Sequence, residues 1–284
     1  MTHLDVLREE VFGRDGFAAK LRERVLPPQR LAEEAQRRVL DSFPNGVNCA
    51  NVNEVLCALL DSEYEAYLVL EQQAFESVLA IALESPEYPQ IHQVARQCSL
   101  VVDDKNLTPE ERVIRIGQLL APLYKLVSES FAQSRKTRAG SSAQYHVAYI
   151  LNQLGYQGEY ETQRVLNGTV DFLFPSYAMW QADRRRCTIL SIKRTLRERY
   201  KQIYEELDIT RGLTVYLMAT APEDEAQRDI TPEKIDNLNM QNVYLVVRDA
   251  IKQKRFAQSP TVRGFTEFFC VDLPRLRANW RDSP

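Results

Sequence analysis

Two ionisable residues lie inside otherwise apolar segments in the second half of the chain. Asp171 belongs to "TVDFLFP" and Lys193 ends "CTILSIK", and both segments have the length and the β-branched or aromatic content of strands. A hairpin of these strands would bring the carboxylate beside the ammonium group. Because burying either charge alone is costly, the pair is either an ordinary ion pair at a sheet edge or part of a reactive site.

Two further polar residues could join this pair. Glu206 follows Lys193 on the next predicted helix, and Gln144 lies one turn before the buried face of an earlier helix. Mg²⁺ takes oxygen ligands of this kind and keeps several waters, which leaves room for phosphate oxygens. The lysine would then orient or activate a water beside a scissile phosphate and stabilise the developing charge.

The segment after Lys193 predicts a helix that reads bases. In "TLRERYKQIYEEL" one face is apolar, so Arg197, Glu198 and Lys201 project elsewhere; the apolar residues are Leu196, Tyr200, Ile203 and Leu207. In the major groove an arginine donates to guanine O6 and N7, and a glutamate accepts from cytosine N4. The lysine at the strand end is therefore predicted to serve cleavage, and the helix N-terminus to recognise G·C pairs.

The remaining pattern predicts the elements that position these residues. Apolar residues recur at helical spacing up to about residue 155, with one helix at 108–131 opened by a Thr108/Glu111 capping box and another at 141–155 after a break at 134–140. Strands are expected at 158–165, 169–175, 187–193, 213–220 and 242–247, with a helix capped by Thr231 between the last two. We predict an α/β fold with a mixed sheet flanked by helices, comprising a helical N-terminal part at 1–134 and a core at 135–284.

Composition restricts the chemistry. The 284 residues are 44% hydrophobic with a net charge of −3, and no apolar run reaches the ~20 residues of a membrane span, so we expect a cytoplasmic protein without a membrane partner. Positive charge is local, with eight Lys/Arg and two acids at 183–201. Five widely spaced cysteines predict buried thiols, and three scattered histidines disfavour a metal site or a nucleophilic triad based on histidine. Any catalytic chemistry is therefore expected to use carboxylates and lysine.

The segments "VDFLFP" and "SIKRTLRER", with twenty-two residues from Asp171 to Lys193, resemble those of PD-(D/E)xK type II restriction endonucleases. The resemblance is to the group that recognises CCNGG or CCWGG, which includes SsoII, PspGI, PfoI and EcoRII, and it covers roughly residues 130 to 250. It implies a restriction-endonuclease-like core and Mg²⁺-dependent cleavage of double-stranded DNA, with a staggered cut before the CC and extrusion of the central nucleotide. The helical N-terminal part carries no motif of the group.

By this resemblance the site residues take definite roles. Asp171 and Glu206 would bind metal, and Lys193 would be the catalytic lysine. The base-reading residues would be Arg197, Glu198 and Arg199, and Gln133 would reach the centre of the recognition site from the minor groove.

Gln144 departs from the pattern of the group. It stands four residues after Gly140, where the group usually has a glutamate, and therefore keeps an oxygen but lacks the charge. A natural variant that cleaves with fewer charges at the metal, an engineered change that traps uncleaved DNA, and a decayed site are the three explanations. The first is favoured because Asp171, Lys193 and Glu206 are all retained.

We therefore predict a type II restriction endonuclease that acts at a short site containing CC/GG, with or without defined flanking bases, and leaves 5′ staggered ends. A two-fold symmetric site is most simply met by a homodimer, and a cognate DNA methyltransferase would be its functional partner. Two alternatives remain: a sequence-specific DNA-binding protein with impaired or absent nuclease activity, and a repair nuclease that recognises DNA structure. Cleavage of DNA in Mg²⁺ would distinguish an endonuclease from the DNA-binding protein. Cleavage with little sequence preference would indicate the repair nuclease.

Overall fold

The computed structural model describes residues 3–162, 170–196 and 214–281. The chain divides into two compact units, one with the bounds Met1–Leu31 and Tyr64–Arg138, the other with the bounds Ala32–Glu63 and Ala139–Pro284. Two long helices have residues in both units. No helix of the described part has the length and apolar character needed to cross a membrane.

The first half of the chain is helical, as predicted. Its helices are α1 (His3–Phe12), α2 (Phe17–Arg22), α3 (Pro28–Leu40), α4 (Val52–Glu76), α5 (Val78–Leu83), α6 (Pro89–Asp103) and α7 (Pro109–Gln153). The first unit has its own core, to which Phe17, Leu21, Val78, Leu123 and Phe131 contribute fully buried side chains.

Helix α7 begins as predicted and ends near the predicted end. Thr108 Oγ1 accepts a hydrogen bond from the Glu111 amide at 3.2 Å, and the Glu111 carboxylate accepts one from the Thr108 amide at 2.8 Å, which completes the capping box. The predicted break at 134–140 is wrong, because the helix continues to Gln153. The segment contains no proline, and one interior glycine costs only about 1 kcal/mol relative to alanine, which a long helix tolerates.

The second half of the chain is built on a mixed six-stranded sheet in the order β1 to β6. The strands are β1 (Glu161–Thr162), β2 (Phe172–Phe174), β3 (Thr188–Lys193), β4 (Val215–Ala219), β5 (Val243–Val247) and β6 (Val262–Gly264). β1, β2 and β3 pair antiparallel, and β3 to β6 pair parallel. The predicted fold class is confirmed, and the last strand, whose "TVRG" is too short to signal itself, was not predicted.

Helices connect and cover these strands. They are α8 (Tyr177–Asp183), α9 (Glu223–Asp229), α10 (Pro232–Met240), α11 (Asp249–Arg255), α12 (Phe265–Glu267) and α13 (Leu273–Arg281), with a π-helical turn at Phe268–Asp272 between the last two. The predicted cap of α10 is confirmed, because the Thr231 side chain accepts a hydrogen bond from the Lys234 amide. The predicted helix after Lys193 lies outside the described residues from Arg197 onward.

The sheet is apolar on both faces because strand residues alternate between two cores. Phe172, Leu190, Ile192, Tyr216 and Val246 join one core, in which Val147, Ile150 and Leu151 of α7 also lie. Their odd-numbered neighbours join a second core, namely Leu173, Ile189, Val215, Leu217, Leu245 and Val247. This two-sided burial accounts for the continuous apolar runs from which the strands were predicted.

The prediction that every cysteine is a buried thiol is wrong for two of them. Cys49 and Cys270, 221 residues apart in the sequence, form a disulfide with 5.7 Å between their Cα atoms. Spacing along the chain cannot reveal a pairing that the fold creates. Cys57, Cys98 and Cys187 are free, and burial raises the pKa of Cys57 and Cys187 to about 11, which keeps both thiols protonated near neutral pH.

Candidate active site

The predicted hairpin brings Asp171 beside Lys193. β2 pairs with β3 so that Phe172 faces Leu190, which places the residue before β2 near the end of β3. Lys193 Nζ lies 3.4 Å from Asp171 Oδ2, and the two side chains are 12% and 15% exposed. The pair is therefore largely withdrawn from water yet reachable at its edge.

Gln144 reaches the same carboxylate from helix α7. Its Nε2 group donates a hydrogen bond to Asp171 Oδ1. The helix is held in place by Val147, Ile150 and Leu151, which are fully buried one and two turns further on. Two side chains that are far apart in the sequence, Gln144 and Lys193, thus converge on the carboxylate of Asp171.

The main chain adds a third contact to Asp171, which no sequence pattern predicted. The Ile192 amide donates to Asp171 Oδ2 at 2.5 Å. Asp171 thus accepts hydrogen bonds from an amide side chain, an ammonium group and a backbone N–H group, which together fix the orientation of its carboxylate. No side-chain pattern could have signalled the backbone donor, because every residue except proline carries one.

A second buried polar pair lies next to Gln144 along the helix. His146 is completely buried, and its Nε2 atom is 3.2 Å from Glu63 Oε2, whose side chain is 11% exposed. His146 Nδ1 has no hydrogen-bond partner among the described residues. The pair links α4 to α7 two residues from Gln144 and so restrains the turn that carries it. His146 is one of the three widely spaced histidines, whose spacing gave no signal of this contact.

Several predicted site residues are not brought together by the described part of the structure. Glu206, Arg197, Glu198 and Arg199 lie outside the described residues. Gln133 is an exposed residue of α7, in the part of that helix assigned to the first compact unit. Its predicted contact with the minor groove stays a prediction.

The carboxylates of the described residues do not form a preassembled metal cage. Within residues 3–162, 170–196 and 214–281, no group of three or more His, Cys, Asp and Glu side chains is placed to hold an ion. Among the described residues, Asp171 is the carboxylate that Gln144 and Lys193 contact. The terminal amide of Gln144 can rotate so that its oxygen and nitrogen exchange places.

Comparison with known proteins identifies relatives of this fold. A family model described as the EcoRII C-terminal domain matches residues 120–268. No sequence among curated proteins matches the chain.

Solved structures resemble the chain at low sequence identity. A structure of metal-depleted Ecl18kI in complex with uncleaved DNA is 17% identical with a TM-score of 0.74, and the match covers 100% of this chain and 88% of that chain. A second Ecl18kI structure, with uncleaved, modified DNA, is 17% identical with a TM-score of 0.73 and coverages of 94% and 85%. The complex of restriction endonuclease PspGI with substrate DNA is 16% identical with a TM-score of 0.61 and coverages of 91% and 96%.

The structural matches establish a restriction-endonuclease-like fold over nearly the whole chain, with helices flanking the mixed sheet. The family model covers more than half of the 284 residues, including Gln144, Asp171 and Lys193. The chain belongs to the EcoRII C-terminal family.

Proposed function

We propose that the protein is a type II restriction endonuclease that hydrolyses both strands of double-stranded DNA in the presence of Mg²⁺. The observation that carries the proposal is the convergence of Gln144, Asp171 and Lys193 in a chain of this family. The recognition site would be short, contain CC/GG in a CCNGG-like arrangement, and be cut to leave 5′ staggered ends.

The donor set suits Mg²⁺. This cation is commonly bound by one or two carboxylates, with waters and substrate phosphates completing its coordination. Asp171 would supply one carboxylate, the amide oxygen of Gln144 is a hard donor beside it, and Glu206 would be the second carboxylate. When bound, the ion would polarise the phosphate and lower the pKa of a bound water.

The chain's own residues would prepare the reaction as follows. The Ile192 amide and the Lys193 ammonium group hold the Asp171 carboxylate in one orientation, in which it would act as a ligand. Lys193 is held at the strand end, where its ammonium group would orient the attacking water and stabilise the charge that develops on the phosphate. Because both side chains are mostly buried, these interactions act in a medium of low dielectric constant.

Base recognition would belong to the residues that follow Lys193. Arg197 and Arg199 would donate to guanines and Glu198 would accept from cytosine. Gln133 would contact the centre of the site from the minor groove, and extrusion of the central nucleotide would cost a few kcal/mol of stacking energy.

The proposed assembly follows from the symmetry of the substrate. Two strands cut at symmetric positions require two active sites, which a homodimer supplies. A cognate methyltransferase would protect the host's own sites and need not bind this protein.

A digestion experiment tests the proposal. Plasmid DNA of mixed sequence is incubated with the protein and Mg²⁺, with EDTA as the control, and the fragment ends are sequenced. We expect discrete fragments with 5′ extensions at sites that share CC/GG. Uniform degradation, or cleavage at branched substrates without sequence preference, would contradict the proposal and support a structure-specific nuclease.

One observation favours a second candidate, a sequence-specific DNA-binding protein without nuclease activity. Gln144 lacks the charge of the expected glutamate and donates its amide hydrogen to the carboxylate that would bind metal. In the digestion experiment this candidate gives intact plasmid with Mg²⁺ or Mn²⁺, together with tight binding to a discrete sequence.

A further inference from the structure

The chain leaves β3 along a path that is fixed one residue at a time. The Lys193 carbonyl accepts from the Thr220 amide at 3.0 Å and the Arg194 carbonyl accepts from the Ala221 amide at 3.1 Å. The Arg194 guanidinium group then makes two hydrogen bonds to Glu225 of α9, at 3.1 and 2.6 Å. The parallel pairing of β3 with β4 therefore extends past the strand end before the chain turns away.

Asp229, the last residue of α9, makes the next attachment. Its carboxylate accepts a hydrogen bond from the Leu196 amide, and the Leu196 side chain is itself 2% exposed within the core on that face of the sheet. Asp229 is 3% exposed, which is unusual for an acid, and Lys234 Nζ compensates its charge at 3.1 Å.

The position of Asp229 is itself restrained. Lys234 Nζ also donates to the Asp229 carbonyl at 2.5 Å, and Arg255 donates to the carbonyls of Ala226 and Ile230 at 3.2 and 2.9 Å. The C-terminal end of α9 is therefore tied to two neighbouring helices. A carboxylate on such a fixed support can hold a backbone amide in one place.

We propose that Asp229 is a positioning residue for sequence recognition. It fixes Leu196, the residue directly before Arg197 and Glu198, and so sets the point from which the two base-reading side chains extend. Bidentate hydrogen bonds to a base edge require close alignment, so a displaced starting point costs specific contacts before it costs contacts to phosphates. This inference rests on the proposed function.

The alternative is that Asp229 serves stability alone. A matched control for that role is Asp272, which is equally buried in the same compact unit and is paired with Arg263 at 2.8 Å. Asp272 touches neither the end of β3 nor Leu196 in the contacts of the described residues. Its loss should therefore destabilise the fold without changing which DNA is bound.

The experiment compares three variants of the full chain, Asp229→Ala, Asp229→Asn and Asp272→Ala. Each is titrated in Ca²⁺ with a duplex carrying the site mapped by digestion and with the same duplex scrambled, and thermal unfolding is recorded. We expect Asp229→Ala to lower the ratio of cognate to scrambled affinity about tenfold or more, comparable with the loss of one base contact. Asp229→Asn retains an oxygen acceptor and should recover part of that ratio, and Asp272→Ala should retain it fully.

A second readout separates positioning from catalysis. Lys193 is held by the β4 pairing rather than by Asp229, so the single-turnover rate of Asp229→Asn at saturating cognate DNA should change less than its affinity. The inference is overturned if Asp229→Ala and Asp272→Ala both discriminate as well as the unmodified protein, or if both lose discrimination equally; if Asp229→Ala does not fold, loss of discrimination by Asp229→Asn equal to that by Asp272→Ala overturns it as well. If the unmodified protein shows no discrimination, the proposed function fails instead, so the two failures are distinguishable.

Discussion

Two aspartates near the end of β3 share two kinds of hydrogen-bond donor and differ in exposure. Asp171 accepts from the Ile192 amide and from Lys193, and Asp229 accepts from the Leu196 amide and from Lys234. The Asp171 side chain is 15% exposed, whereas that of Asp229 is 4% exposed. The Asp171 carboxylate remains partly exposed and the Asp229 carboxylate is buried, so a shared pair of donors, a backbone amide and a lysine, suits chemistry at one place and positioning at the other.

The largest effect that would test this comparison concerns Lys193. Lys193→Ala should reduce cleavage by about 10⁴-fold, because the site loses both the group that orients water and a positive charge beside the phosphate. Specific binding in Ca²⁺ should be largely retained. Lys254→Ala is the control, because its side chain is 62% exposed and pairs with Glu223 at the surface. Near-normal cleavage by Lys193→Ala would refute the assignment of the site.

The next effect concerns base recognition beyond Leu196. Arg197→Ala and Glu198→Ala should each weaken cognate binding by about 1–3 kcal/mol per half-site, and a dimer would lose this twice. Scrambled duplexes should be affected far less. A contact to phosphate alone would weaken all sequences about equally and flatten the salt dependence by about one unit. Equal losses on both duplexes would therefore exclude base recognition by these residues.

A stability measurement compares the two aspartates directly. Asp229→Ala should lower the free energy of unfolding by about 3 kcal/mol, since it leaves Lys234 without its buried partner. Asp171→Ala should cost about 1 kcal/mol or less, because Lys193 lies at the edge of its site and its long side chain can reach water. Urea titrations of both variants measure their free energies of unfolding. Equal decreases in the two variants would mean that the difference in exposure has no energetic consequence.

The smallest expected effect is at Gln144. Gln144→Glu should preserve Mg²⁺-dependent cleavage or raise it by up to about tenfold, because it restores a charged oxygen beside Asp171. Cleavage rates at several Mg²⁺ concentrations test this, with circular dichroism to verify folding. A folded Gln144→Glu protein with much lower activity would show that the amide, which donates to Asp171, has a different role.

Sequence by itself determined the strand that follows Asp171, the strand that ends at Lys193, the capping box at Thr108, the cap at Thr231, and the fold class. These features depend on residues a few positions apart, so their alternation or spacing can be recognised within a short segment of the sequence. The same local signals wrongly predicted a break in the helix at 134–140. The helix continues there because the cost of one glycine is small relative to the stability of a long helix.

Only the tertiary structure decided which distant groups meet. Gln144 and Asp171 are 27 residues apart and Leu196 and Asp229 are 33 apart, and the chain pattern contains no record of these contacts. The disulfide of Cys49 with Cys270 and the pairing of His146 with Glu63 have the same origin. An aspartate in the charged helix "EDEAQRD" looks solvent-facing in the sequence but is buried in the fold, because burial is a property of the packed structure and not of the residue.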